Sequence, residues 1–108
     1  MAPRQYVSCD FETWLISAHE PIPRPVCLSF YDGKTAGLLI GSDMEDYLRN
    51  LFINKDILII AHNFTFEALV IYKHMPSLRP LLFEALENNR CFCTKIYEQL
   101  LNNIRRKV

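Results

Sequence analysis

The chain has 108 residues, half of them hydrophobic and 12% aromatic, which is enough for the core of one small domain and argues against intrinsic disorder. Twelve basic residues balance twelve acidic ones, so no global field draws the protein to nucleic acid or to an anionic membrane, and any such binding must come from a local patch. No apolar run approaches the ~20 residues that span a bilayer, and the N-terminus MAPRQYVSC lacks the apolar core of a signal peptide. The expectation is a cytoplasmic protein with no membrane partner.

In chain order, QYVSCDF (5–11) is rich in β-formers and predicts a first strand. AHEPIPRP (18–25) holds three prolines and predicts a loop. VCLSFYD (26–32) and TAGLLIG (35–41), separated by Gly33-Lys34, predict an antiparallel hairpin. Ser42 followed by Glu45 has the pattern of a capping box, and Met44, Tyr47, Leu48, Leu51 and Phe52 then recur at helical spacing. DILIIA (56–61) is a continuous aliphatic run, expected of a central parallel strand buried on both faces.

HNFTFEALVIYKHM (62–75) predicts a helix with Asn63 as N-cap and Pro76 as its end. A short helix follows over 78–89 and a short strand over RCFC (90–93). Thr94 would then cap a last helix whose basic end, Arg105, Arg106 and Lys107, suits a helix C-terminus. An antiparallel three-strand start followed by parallel strands with crossover helices predicts an α/β domain with a mixed sheet, in a layout that resembles the ribonuclease H-like fold. The four cysteines fit neither C-x-x-C nor a paired zinc pattern, and reduced, buried thiols are expected.

The chemistry begins with SCDFETW. Asp10 and Glu12 are one residue apart on a strand, so they share a face, while Cys9 and Phe11 share the other. Two adjacent carboxylates in an interior repel each other and lose hydration. Strand 56–61 should lie parallel beside strand 5–11, with both running toward the edge where open α/β sheets bind ligands. Glu67, one helical turn past Asn63, leans back over that edge. Three carboxylates meeting there would call for a hard divalent ion such as Mg²⁺ or Mn²⁺, and a pair of ions is a known device for phosphodiester hydrolysis.

DFET followed about fifty residues later by HNFTFE resembles the first two motifs of the DEDD (DnaQ-like) 3′–5′ exonucleases, and within them the N-terminal proofreading domain of phage-type family A DNA polymerases. The similarity covers nearly the whole chain, and RCFCTKIYEQLL resembles the strand-helix step after the second motif. The resemblance implies Asp10, Glu12 and Glu67 as catalytic metal ligands, with Thr13 and Asn63 near the substrate. Trp14 would stack on a terminal base, and His62 belongs to the second motif.

It further implies a two-metal 3′–5′ exonuclease acting on single-stranded DNA 3′ ends, in a bacterial cell or phage-infected host, with a polymerase domain or a C-terminal remainder of the same protein as partner. The family's fourth carboxylate, an aspartate four residues after a Tyr or His, has no counterpart, because Asp56 is the last aspartate. The expectation is therefore a single exonuclease domain, residues 1–108, incomplete at its C-terminus. The alternative is a catalytically incomplete nucleic-acid-binding or interaction module that retains the fold. Read without the resemblance, Asp10 and Glu12 are solvated acids at a strand end, Glu67 is a first-turn glutamate favoured by the helix dipole, and Asn63 is only a cap.

Overall fold

The structure, a computed structural model, describes residues 5–106. Five strands form one mixed sheet: β1 (Gln5–Thr13), β2 (Pro25–Tyr31), β3 (Ala36–Leu39), β4 (Ile57–Ala61) and β5 (Cys91–Cys93). Their order across the sheet is β3-β2-β1-β4-β5. β1 pairs antiparallel with β2, and β2 antiparallel with β3, while β4 runs parallel to both β1 and β5. Four helices complete the fold: α1 (Ser42–Ile53), α2 (Phe64–His74), α3 (Arg79–Glu87) after a 3-10 turn at Pro76–Leu78, and α4 (Thr94–Arg106). The expected α/β architecture, hairpin and central β1–β4 pairing are all present.

The apolar faces of α1, α2 and α3 pack on one side of the sheet in a single core that includes Val7, Leu28, Leu48, Phe52, Ile59, Val70 and Leu82. Each of these large side chains contributes about 1.5–3 kcal/mol by leaving water. Gly37 sits opposite Phe30 in the β2–β3 ladder, and a Cβ there would lie 2.5 Å from the Phe30 ring. The missing side chain lets that ring lean over the strand and meet Tyr47 of α1 at 4.5 Å between centroids.

Several local expectations are corrected. β4 alternates buried and half-buried residues from Ile57 to Ala61 instead of being buried on both faces, because the second face of the sheet stays largely open and the molecule measures 47 × 44 × 26 Å. The Ser42–Glu45 capping box does not form. Gly41, at φ 60°, is the N-cap of α1, and Glu45 instead accepts a hydrogen bond from Ser77 Oγ. Asn63 takes the N-cap position of α2 as expected, though without a side-chain bond, while Thr94 is the first residue of α4 and not its cap. Only Cys9 of the four free cysteines is buried, the others being half-buried. Lys107 of the basic end lies outside the described residues, while Arg105 and Arg106 are exposed.

Candidate active site

β1 and β4 part company at the top of the sheet. Their ladder runs from Gln5–Ile57 to Ser8–Ile60, after which β4 ends at Ala61 and the chain turns into α2. β1 continues to Thr13 with only β2 beside it. The result is a crevice at the carboxyl ends of the parallel strands, the usual position for ligands in open α/β sheets.

Glu67 fills part of the gap that β4 leaves. It rises from the first turn of α2, is only 5% exposed, and its Oε2 accepts the Phe11 backbone N–H at 3.1 Å. A buried N–H left without a ladder partner costs free energy comparable to a lost hydrogen bond, and this carboxylate removes that cost. Burial pushes the Glu67 carboxyl up to about 7; the Phe11 N–H opposes the rise, and the charges of Asp10 and Glu12 add to it. The Cys9 thiol beneath is raised to about 12, by burial first and then by Glu67 and Asp10. Cys9 is therefore an uncharged core side chain at neutral pH.

Asp10 and Glu12 share a face, as the strand period requires, and both are exposed while Cys9 and Phe11 are buried. The interior repulsion inferred from the sequence therefore does not apply to them as a pair, because water surrounds both. Neither carboxylate has an ion-pair partner among the described residues. Asp10 opens onto a cleft of about 580 Å³ together with Ser8, Ser29, Tyr31, His62 and Thr94.

Asp10 and Glu12 are close enough to add to the rise of the Glu67 carboxyl, yet among the described residues no three Asp, Glu, His or Cys side chains are gathered as a ready metal-ligand set. The reason is geometric. Asp10 and Glu12 lie on the open face, whereas Glu67 arrives from the helix side and is turned to the Phe11 main chain.

The remaining candidates divide. His62 is exposed, and its Nδ1 lies 3.1 Å from Thr94 Oγ1. Its carbonyl accepts the Lys95 N–H at 2.8 Å, which ties the start of α4 to the end of β4. Asn63 is half-buried, its side chain is not spent on capping, and its carbonyl accepts the Phe66 N–H at 3.0 Å. Thr13 is occupied locally, its hydroxyl donating to the Trp14 carbonyl at 2.9 Å. Trp14 is 65% exposed beside Arg24, at a cleft distinct from the one Asp10 lines.

Two residues with no assigned role in the sequence reading matter to this edge. Thr94, read only as a cap, meets His62. Cys93, read as a core thiol, accepts the Phe64 N–H and is half-exposed at the starts of both α2 and α4. Its burial is outweighed by the N–H groups of Ile96, Phe64 and Lys95, which hold the thiol below its ordinary range. The sequence signal for both was the step from a short strand into a helix at 93–94, where helix N–H groups are unpaired.

Comparison with protein-family models, curated proteins and solved structures finds no match for this chain. Among the described residues, no helix is long and apolar enough to cross a membrane.

Proposed function

We propose that this chain is a ribonuclease H-like 3′–5′ exonuclease domain that hydrolyses phosphodiester bonds at single-stranded DNA 3′ ends, alongside a polymerase domain or a further part of its own protein. The observation that carries the reading is the buried Glu67 carboxyl at the strand edge, pushed up first by its burial and further by two exposed carboxylates on β1 that have no ion-pair partner among the described residues. The donor set fits Mg²⁺ or Mn²⁺. Mg²⁺ commonly takes one or two carboxylates and fills its other positions with water and substrate phosphate oxygens, so an incomplete protein cage suits it. Asp10, Glu12 and Glu67 are the residues that would hold it. When bound, such ions supply a nucleophile from water and neutralise charge on the phosphate and the leaving oxygen.

The chain's own residues then have separable tasks. Glu67 holds the end of β1 through Phe11 while keeping its second oxygen for a cation. Asp10 and Glu12, which have no ion-pair partner among the described residues, attract that cation. His62, held at Nδ1 by Thr94, lines the same cleft as Asp10. Trp14 offers an exposed aromatic face for a base, worth about 1–3 kcal/mol if stacked.

The second reading, a binding or interaction module without complete chemistry, is favoured by one specific observation. Among the described residues no three-ligand cluster is assembled. Digestion of a 3′-labelled single strand with Mn²⁺ decides between the two, comparing the protein with Asp10→Asn and Glu67→Gln. Release of mononucleotides that both substitutions abolish is the expected result. Equal background in all three, with strand binding retained, replaces the nuclease by the binding module.

A further inference from the structure

α4 is the one helix of the fold with no buried side chain. Ile96, Tyr97, Leu100 and Ile104 are each more than half exposed, on a helix whose other side is formed by Lys95, Gln99, Asn102 and Arg106. Exposed apolar side chains gathered into one contiguous stripe mark an interaction site.

The pattern on α4 identifies the occupant. Tyr97, Leu100, Leu101 and Ile104 are symmetric about the middle of the helix. An antiparallel second copy, related by a two-fold axis at that midpoint, sets Leu100 against Leu101 and Tyr97 against Ile104. Such a two-fold brings like edges of the two helices together. The edge beside Leu101 carries both Glu98 and Arg105, about 10 Å apart along their own helix and so unable to pair within it. Across the two-fold each Glu98 meets an Arg105 of the second copy, twice over. The apolar stripe and the charges at its border are thus complementary to themselves.

We propose that α4 is a self-docking helix through which two copies of this chain associate as an antiparallel, two-fold symmetric pair. The ring of Phe92, 5.8 Å from that of Tyr97, extends the contact onto β5. The proposal is independent of the nuclease reading, since it uses none of the residues at the carboxylate edge.

Sedimentation or light scattering over a concentration series tests it. The wild-type chain is expected to dimerise, and Leu100→Lys to be monomeric with unchanged circular dichroism and, at dilutions where the wild type is also monomeric, an unchanged melting temperature, because Leu100 is exposed in the single chain. Glu98→Arg and Arg105→Glu should each weaken association about tenfold or more. Mixing those two single variants should restore association, as should combining both substitutions in one chain. A wild-type chain that stays monomeric throughout overturns the proposal, including one that instead binds anionic vesicles. So does a dimer that Leu100→Lys leaves intact, or a charge reversal that its counterpart does not rescue.

Discussion

Among the described residues two charged side chains are buried, at opposite ends of the parallel strands, and they are satisfied very differently. Arg90, 3% exposed at the start of β5, donates to the carbonyls of Leu51, Phe52, Asn54 and Ile57 and lies 3.5 Å from Glu84. Its guanidinium absorbs the unpaired carbonyls at the end of α1 and fastens them to the start of β4, which is the favourable polarity for a cation at a helix C-terminus. Glu67, at the far end, has one backbone donor and two like charges nearby. A saturated buried charge is a structural clamp. An under-satisfied one, raised by its burial and further by its neighbours, has capacity left for a ligand.

The largest effect should come from breaking the clamp. Arg90→Met leaves the carbonyls at the α1–β4 junction buried without donors, and urea unfolding should show a loss of about 3–5 kcal/mol. A loss under about 1 kcal/mol would mean that water replaces the guanidinium and that the two ends are less different than described.

Next in size is the pH dependence of the other end. Because the folded Glu67 carboxyl titrates near 7, above its ordinary 4.5, the folded state favours its protonated form. Its contribution to stability is fully present below about pH 4.5 and is lost as pH rises through about 7, a change of roughly 3 kcal/mol. Glu67→Gln keeps an oxygen for the Phe11 N–H and cannot ionise, so it should flatten that slope and exceed the wild type in stability at pH 8. An unchanged slope would remove the contrast with Arg90.

A divalent ion should act in the same place with the opposite sign. Mn²⁺ at about a hundred times its dissociation constant should stabilise the protein by about 2.7 kcal/mol at pH 8, and Asp10→Asn should lose most of that gain. An equal thermal shift in both proteins would place the ion elsewhere. The smallest effect concerns the clamp's one anionic contact. Glu84 is partly exposed and also lies 3.6 Å from Lys55, so Glu84→Gln should cost at most about 1 kcal/mol by urea unfolding.

Both ends were legible in the sequence to different degrees. The carboxylate edge was marked by local patterns: the period of a strand puts Asp10 and Glu12 on one face, and one helical turn separates Asn63 from Glu67. The clamp was not. Arg90 looked like an ordinary polar residue opening a strand, since its partners lie 33 to 39 positions away. Local caps misled for a related reason. Ser42 has the right residue type, but Gly41 at positive φ takes the N-cap of α1; Asn63 does take the N-cap of α2, yet without a side-chain bond, and Glu67 is turned to the main chain of β1.

The sequence by itself determined the element order, the antiparallel hairpin and the shared face of the two acids of β1, because those follow from periodicity and turn chemistry over a few residues; the parallel neighbour of β1 was expected only from the resemblance to a ribonuclease H-like layout. Only the tertiary structure decided how far β1 outruns β4, and therefore that Glu67 is turned to the Phe11 backbone instead of lying open beside Asp10 and Glu12. It also decided that the second sheet face and the apolar stripe of α4 are bare. A residue's period says which way it faces; whether anything stands there depends on where distant strands stop and which helices reach them.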